Sequence, residues 1–193
     1  MSGAGSTDPA RASARMMEWP ACILLVGLTG AGKSTVGREL SRRIDYRFVD
    51  LDLEIERQAE RSISEIFREG GEAAFRSLEA RATLSLHVEH EVIVATGGGW
   101  MARQDIQRWW PGSVRVWLKV TPETALRRLG QRVHTRPMLD PEGPADSLKR
   151  LLEMRRASYS EAECEVDTEA RSPGEVVDEM LKQLRGIRLT GGA

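Results

Sequence analysis

The chain has 193 residues and a mass of 21.5 kDa, which suits a single domain that buries roughly 70% of its unfolded surface without a disulfide or metal staple. Lys and Arg number 28 against 29 Asp and Glu, and this balance argues against a generic binder of nucleic acid or of an anionic membrane. No apolar run approaches the roughly 20 residues that span a bilayer. Since Cys22 and Cys164 are too few for a disulfide framework or a zinc quartet, we expect a cytoplasmic protein.

Residues 1–20 (MSGAGSTDPARASARMMEWP) are rich in Gly, Ala, Ser and Pro and show no hydrophobic periodicity. A segment of this composition buries too little apolar surface to offset the entropy lost on ordering, so we expect a disordered N-terminal tail. It lacks the apolar central region of a signal peptide. We therefore place one domain at residues 21–193.

Hydrophobic patterning from residue 21 onwards predicts alternating strands and helices. Continuous apolar runs indicate strands that are buried on both faces. In Ser113–Val120 apolar and polar residues alternate, which indicates a strand with one exposed face. The predicted strands are Cys22–Leu28, Phe48–Leu51, Val92–Ala95, Ser113–Val120 and Cys164–Asp167.

Helical periodicity and capping signals predict the elements between these strands. The predicted helices are Lys33–Arg43, Ser62–Phe67, Glu72–Val88, one that begins at Thr121-Pro122, Ala145–Glu163, and one from Ser172 to about Leu184. Residues 133–144 contain three prolines and are expected to form a long loop. The alternation implies a parallel sheet covered by helices on both faces, with ligands at the C-terminal ends of its strands.

A phosphate-loop motif follows the first predicted strand and begins the first helix. The segment Gly27-Leu-Thr-Gly30-Ala-Gly32-Lys33-Ser34-Thr35 fits the pattern G-x-x-x-x-G-K-[ST] in the context that this pattern requires. Its glycines let backbone N–H groups turn towards phosphate oxygens, and the helix N-terminus adds partial positive charge. The motif predicts that the protein binds a nucleoside triphosphate, with Lys33 at the outer phosphates and Ser34 at Mg²⁺.

Two carboxylates, Asp50 and Asp52, follow the second predicted strand. Alternation along a strand would place both on one side, and a position beside the first strand would bring them to the phosphate pocket. One acid can then hold Mg²⁺ while the other contacts an attacking hydroxyl. The alternative is that the two acids cap the helix that follows.

Three consecutive glycines, Gly97-Gly98-Gly99, end the third predicted strand. Glycines at this position permit a ligand to approach the backbone closely, and the alternative is a flexible turn. Trp100 comes directly after them and is expected to face the site.

Three arginines, Arg76, Arg136 and Arg155, lie on three different predicted elements. Two converging arginines form a clamp for a carboxylate, and a third in a mobile loop can close over phosphates. Taken alone, each also fits a solvated surface.

The order of these motifs resembles the shikimate kinase family, P-loop proteins similar to the nucleoside monophosphate kinases. The resemblance extends from about Ala21 to Leu184 and rests on GLTGAGKST, DLD, FREGGEAAFRSLE, GGG, RP and RRASY. The run FREGGEAAFRSLE, followed by the three glycines, is far more specific than the phosphate loop, which very many proteins share.

The resemblance implies a three-layer P-loop kinase fold, with a five-stranded parallel sheet of order 2-3-1-4-5 flanked by helices and a mobile lid at about residues 133–144. It implies transfer of the γ-phosphate of ATP to the 3-hydroxyl of shikimate, with Mg²⁺, in aromatic amino-acid biosynthesis. The expected partners are ATP and shikimate, with no nucleic acid and no membrane, and we expect a monomer.

Site residues carry over from the family position by position. The resemblance implies Lys33, Asp52 and Arg136 as the catalytic residues. The residues implied to bind ATP are Gly30, Ala31, Gly32, Lys33, Ser34, Thr35, Arg128, Arg136 and Arg171. Those implied to bind shikimate are Asp52, Arg76, Gly98, Gly99 and Arg155, and those implied to hold Mg²⁺ are Ser34 and Asp50.

Two other functions stay open at this point. A sugar-acid kinase such as a gluconate kinase would share the phosphate loop and a carboxylate-bearing substrate, although Phe75-Arg76 and the triple glycine disfavour it. An ATP-binding module without turnover would be favoured by loss of Asp52 or Arg136, and both are present.

Overall fold

The computed structural model describes residues 19–86, 90–103, 110 and 112–187. Most of the expected tail and the predicted helix end at Val88 lie outside these residues. Trp19, which was expected in the tail, packs into the core with 7% of its surface exposed, and the Arg185 guanidinium lies over its ring. The folded domain therefore includes Trp19.

Five parallel strands form one sheet in the order β2-β3-β1-β4-β5, which confirms the expected topology. The strands are β1 Cys22–Val26, β2 Arg47–Asp50, β3 Val92–Ala95, β4 Ser113–Lys119 and β5 Cys164–Asp167. At the centre of the sheet, Leu25 pairs with Ala95 on one side and with Val116 on the other. All five strands therefore direct their C-terminal ends to the same edge.

Six α-helices flank the sheet in the part of the chain that the structure describes. They are α1 Lys33–Ile44, α2 Leu51–Ala59, α3 Ile63–Leu86, α4 Pro122–Leu129, α5 Pro144–Tyr159 and α6 Pro173–Gly186. The predicted caps are present, since Thr121 accepts from the Thr124 N–H and Ser172 forms a capping box with Glu175. None of the helices in the described ranges is long and apolar enough to cross a membrane.

Helix α3 consists of two helical segments separated by a kink, as the prediction of two helices, Ser62–Phe67 and Glu72–Val88, requires. The break lies at Gly71, whose φ of 65° and ψ of -168° are not helical, so the first segment extends beyond the predicted Phe67. Glycine adopts this conformation because it has no Cβ. The bend allows Ile66 before it and Phe75 after it to pack into the same core cluster.

Side chains alternate along β1 between two core layers, as the period of a strand requires. Ile23 and Leu25 pack with residues of α1, α4, α5 and α6, while Leu24 packs with residues of α2 and α3. The sheet is therefore covered on both faces. On β4 the prediction of one exposed face is wrong at Trp117, which is buried because it packs against Tyr159 of α5, with ring centroids 5.6 Å apart.

Trp100 is fully buried, so the expectation that it faces the site is wrong. It begins a 3₁₀ turn, Trp100–Ala102, and its Nε1 donates to Oγ1 of Thr83 on α3 at 3.2 Å. Its ring lies 6.3 Å from that of Trp110. These contacts hold the side chain in the core rather than at the C-terminal edge of the sheet.

Candidate active site

Two adjoining cavities open at the C-terminal edge of the sheet. The larger, about 860 Å³, is lined by the phosphate loop and by residues of β2, α4 and the start of α6. The smaller, about 80 Å³, lies among α3, α5, the three glycines and residues 136–139. Thr29, Asp52, Gly98 and Arg136 line both cavities. A group bound in one cavity can therefore reach a group bound in the other at these residues.

The phosphate loop depends on glycine for its backbone conformation. Gly30 and Gly32 have φ of 83° and 94°, and a Cβ at Gly30 would lie 2.7 Å from the carbonyl oxygen of Ala125. Gly32 is the N-cap of α1, so the N-terminus of this helix faces the larger cavity. The loop residues expected to bind nucleotide all line that cavity: Gly30, Ala31, Gly32, Lys33, Ser34 and Thr35.

The ammonium group of Lys33 rests on the backbone of the phosphate loop. Its Nζ donates to the carbonyl oxygens of Gly27 at 2.8 Å and of Leu28 at 3.0 Å. Burial lowers the pKa of Lys33 to about 8, against the smaller opposing effect of Asp52. A desolvated cation in this position gains strongly from an anionic oxygen, because charge-assisted hydrogen bonds are stronger than those to a carbonyl.

Ser34 and Asp50 present two oxygen donors side by side in the larger cavity. Oγ of Ser34 donates to Oδ2 of Asp50 at 2.5 Å. Mg²⁺ is usually bound through one or two protein oxygens together with substrate phosphates and water. The pair therefore fits a Mg²⁺ ion whose coordination the phosphates of a nucleotide would complete. Clusters of three or more His, Cys, Asp or Glu that could hold a metal unaided are absent from the described residues.

Asp52 reaches the cavities by a route that strand alternation did not predict. Helix α2 begins at Leu51, so Asp52 lies in the first turn of a helix, while Asp50 is the N-cap but makes no capping hydrogen bond through its side chain. Oδ2 of Asp52 accepts from Nη1 of Arg136 at 3.2 Å. Burial raises the pKa of Asp52, against the opposing charge of Arg136. The carboxylate therefore accepts a proton more readily than an exposed aspartate.

Two of the expected arginines converge on the smaller cavity, Arg76 from α3 and Arg155 from α5. The adjacent glycines leave room for both guanidinium groups. A Cβ at Gly99 would lie 2.7 Å from Nη2 of Arg76, and a Cβ at Gly98 would lie 3.3 Å from Nη1 of Arg155. The cavity thus has two cations on one side and Asp52 at its junction with the larger cavity, an arrangement that suits a ligand with a carboxylate and hydroxyls.

Glu79 belongs to this site, although its motif position had no assigned role. It is fully buried on α3, where Oε2 accepts from Nη1 of Arg76 at 2.9 Å and Oε1 has no hydrogen-bond partner among the described residues. Burial raises the pKa of Glu79, against the opposing charge of Arg76. The signal in the sequence is an acid three residues after an arginine on a helix, a spacing at which side chains meet.

Arg128 and Arg171 lie towards the other end of the larger cavity. Nη2 of Arg128 donates to the Thr168 carbonyl oxygen at 2.6 Å, and Nη1 donates to Oγ1 of Thr168 at 2.9 Å. The same hydroxyl donates to the carbonyl oxygen of Lys119 at 2.8 Å. A third hydrogen bond runs from Nη1 of Arg128 to the Ala31 carbonyl oxygen at 3.4 Å, and no motif indicated Thr168 as a residue that holds this guanidinium.

Residues 133–144 are more regular than the long loop that their composition predicts. A 3₁₀ turn, Gly130–Thr135, forms the start, and Val133 and Leu139 are buried. The Leu139 N–H donates to the Arg136 carbonyl oxygen at 2.9 Å. One short turn between two apolar anchors therefore presents Arg136 to Asp52.

A comparison with protein-family models identifies the relatives of this chain. The model described as "Shikimate kinase" matches residues 29–185. The chain belongs to the shikimate kinase family. A shikimate kinase of Parasynechococcus marenigrum (strain WH8102) is 40% identical over 165 residues, which cover 86% of each chain. One of Persephonella marina (strain DSM 14350 / EX-H1) is 37% identical over 164 residues, covering 84% of this chain and 98% of that one.

Solved structures of the family share the fold. The shikimate kinase from Acinetobacter baumannii in complex with shikimate superposes with a TM-score of 0.82 at 32% identity, covering 88% of this chain and 95% of that one. The shikimate kinase from Aquifex aeolicus superposes with a TM-score of 0.74 at 36% identity, covering 86% of this chain and 96% of that one. A gluconokinase from Sinorhizobium meliloti superposes with a TM-score of 0.54 at 21% identity, covering 86% of this chain and 93% of that one. At this level of identity the likeness is one of fold alone.

Proposed function

We propose that this protein transfers the γ-phosphate of ATP to the 3-hydroxyl of shikimate, giving shikimate 3-phosphate and ADP in aromatic amino-acid biosynthesis. The observation that carries the proposal is the junction of a phosphate-loop cavity with an arginine-lined cavity at Asp52 and Arg136. Membership of the shikimate kinase family supports the same acceptor.

The smaller cavity matches the chemistry of shikimate. Shikimate has one carboxylate and three hydroxyls, and the guanidinium groups of Arg76 and Arg155 supply charge-assisted donors for the carboxylate. Gly98 and Gly99 allow the ligand to lie against the backbone. Asp52, at the junction with the nucleotide cavity, accepts from an acceptor hydroxyl and takes its proton as the phosphoryl group transfers.

Residues of the larger cavity position the nucleotide and stabilise the charge that shifts during transfer. The phosphate-loop N–H groups and the N-terminus of α1 bind the phosphates. Lys33 exchanges its carbonyl partners for the outer phosphates, and Arg136 moves from Asp52 to the transferring group. Arg128 and Arg171 flank the base end of the nucleotide.

Ser34 and Asp50 would hold Mg²⁺ together with the phosphates. When bound, the ion neutralises phosphate charge and orients the phosphate chain. The Ser34 hydroxyl donates its hydrogen to Asp50 at 2.5 Å, and its lone pairs would be available to the ion.

We also propose that the protein acts as a cytoplasmic monomer. Residues of one chain line both cavities, so the site needs no second subunit to complete it. Both Cys22 and Cys164 are buried free thiols, which suits a reducing compartment.

A coupled assay of ADP release tests the proposed reaction. Purified protein with ATP and Mg²⁺ is given shikimate, gluconate or no acceptor at matched concentrations. We expect turnover with shikimate that exceeds both other arms by at least about a hundredfold, because two arginines and Asp52 must be satisfied together. Equal rates in the three arms would refute a shikimate kinase, and preference for gluconate would assign the protein to sugar-acid kinases.

A further inference from the structure

Tyr159, the last residue of α5, lies behind the wall of the smaller cavity, which is called the acceptor cavity below. It contacts residues around this cavity but does not line it. The side chain is buried, with 1% of its surface exposed, and its ring packs on Trp117 of β4. Its hydroxyl donates to the carbonyl oxygen of Gly98 at 2.5 Å. A residue at the end of one helix is thus bonded to the glycine that lies at the junction of the two cavities.

Arg155 lies one helical turn before Tyr159 on α5, a spacing at which side chains meet on one face of a helix. Burial raises the pKa of Tyr159, against the smaller opposing effect of Arg155, so the phenol stays protonated and able to donate throughout the neutral range. Both side chains meet the same glycine: the Tyr159 hydroxyl holds the Gly98 carbonyl oxygen, and Nη1 of Arg155 lies 3.3 Å from the position that a Cβ of Gly98 would take.

The two clamp arginines are held differently. Arg76 is anchored by two carboxylates, since Glu79 and Glu72 accept from it at 2.9 Å and 2.8 Å. Arg155 forms no ion pair with an acid in the described ranges. A long side chain without an acidic partner loses rotamer freedom when it binds a ligand, and this loss weakens binding unless other contacts pre-organise the side chain.

We propose that Tyr159 is a positioning residue for the acceptor, whose buried hydroxyl fixes Arg155 against the Gly98 backbone before shikimate binds. The inference rests on the proposed function, because it takes the ligand of Arg155 to be the acceptor carboxylate. It predicts that the hydroxyl affects acceptor affinity and leaves nucleotide affinity unchanged.

The variant Tyr159→Phe tests this role because it keeps the ring that packs on Trp117. We expect the KM for shikimate to rise about tenfold, the KM for ATP to stay within about twofold and kcat to fall less than the KM rises. Tyr46→Phe is the matched control, since Tyr46 is the only other tyrosine of the chain, is also buried, and lies before the edge strand β2 in the other core layer. It should leave both KM values unchanged.

A double-mutant cycle with Arg155→Ala distinguishes positioning from general packing. If Tyr159 acts through Arg155, Tyr159→Phe has little further effect on shikimate affinity once Arg155 is absent, so the two losses do not add. Isothermal calorimetry with shikimate measures this without turnover. Additive losses, or equal shikimate affinity in wild type and Tyr159→Phe, would overturn the inference.

The proposed function fails on a different result. If wild-type protein neither binds nor phosphorylates shikimate, the assigned acceptor is wrong. A thermal unfolding measurement of Tyr159→Phe and Tyr46→Phe identifies a purely structural effect: similar losses of stability with unchanged shikimate affinity in both variants would show that the Tyr159 hydroxyl serves folding only.

Discussion

The guanidinium of Arg136 donates to the carboxylate of Asp52 across 3.2 Å, joining two residues that are 84 positions apart in the chain. Both residues line both cavities, so the pair lies where the phosphoryl donor and the acceptor meet. Nε of Arg136 is buried and has no hydrogen-bond partner among the residues described. The pair therefore leaves one donor unsatisfied, and a bound anion could satisfy it.

A first prediction concerns Arg136, which is proposed to move from Asp52 to the phosphates. Arg136→Ala should lower kcat by about a hundredfold and change the KM for shikimate much less, because the arginine contact is strongest when charge shifts in transfer. Arg150→Ala, an exposed arginine on α5 that lines neither cavity, is the control. Steady-state kinetics measures both, and full activity of Arg136→Ala would remove this residue from the mechanism.

Hydrogen exchange tests whether residues 133–144 move as a lid. We expect faster amide exchange in the free protein than with a non-hydrolysable ATP analogue and shikimate bound, because the segment is anchored mainly through Val133 and Leu139. Amides of β1 at the sheet centre provide the internal control and should be protected in both states. Equal protection of 133–144 with and without ligands would show a static connection.

Lys33→Met should lower kcat by at least about a hundredfold, a rise of about 2.7 kcal/mol in the barrier, since it removes the cation at the transferring phosphate. Lys182→Met removes an exposed lysine that pairs with Glu179 on α6, and it should keep wild-type activity. Circular dichroism checks that both variants fold. Normal turnover by a folded Lys33→Met would refute the assigned role of this residue.

The pKa of Lys33 also predicts how ATP affinity depends on pH. Because burial lowers this pKa to about 8, the side chain is charged below about pH 8 and becomes neutral above it in the nucleotide-free protein. ATP affinity should therefore weaken as the pH rises from 7 to 9.5. Calorimetric titrations should show this decline in wild type and a flatter profile in Lys33→Met; parallel profiles would assign the decline to another group.

The arginine clamp predicts a selective loss of acceptor affinity. Arg76→Ala or Arg155→Ala should raise the KM for shikimate by about tenfold to a hundredfold while the KM for ATP changes little, because each removes charge-assisted hydrogen bonds to a carboxylate. Arg156→Ala, an exposed arginine beside Arg155 on α5, is the control. An equal loss for both substrates would indicate a folding defect instead of a clamp.

Glu79 makes the stability of the protein depend on pH. Burial raises its pKa above the ordinary 4.5, so the folded state holds the proton more tightly than the unfolded state. The free energy of unfolding attributable to Glu79 therefore falls as the pH rises from about 4.5 through the folded-state pKa. Urea unfolding between pH 4.5 and 8 should show a shallower decline in Glu79→Gln than in wild type.

The control for this series is Glu72→Gln, which removes the exposed acid that shares Arg76 with Glu79. It should keep the wild-type pH slope. A wild-type slope in Glu79→Gln as well would mean that another group causes the pH dependence.

Local rules account for the features that the sequence alone predicted correctly. The alternation of strands and helices, the phosphate loop and the capping box at Ser172 each depend on residues within a few positions of one another, so their patterns are readable along the chain. The strand order came instead from resemblance, because FREGGEAAFRSLE and the three glycines are specific to a family with a known topology.

Tertiary structure alone decided how the acceptor cavity is assembled. Asp52 reaches it from the first turn of a helix, Trp100 turns into the core, and Tyr159 bonds to Gly98 from 61 positions away. These contacts depend on where α2 begins and on how α3 and α5 pack against the sheet, and side chains brought together by packing share no local periodicity. Sequence patterns therefore identified the chemical groups of the site, while packing determined which of them touch.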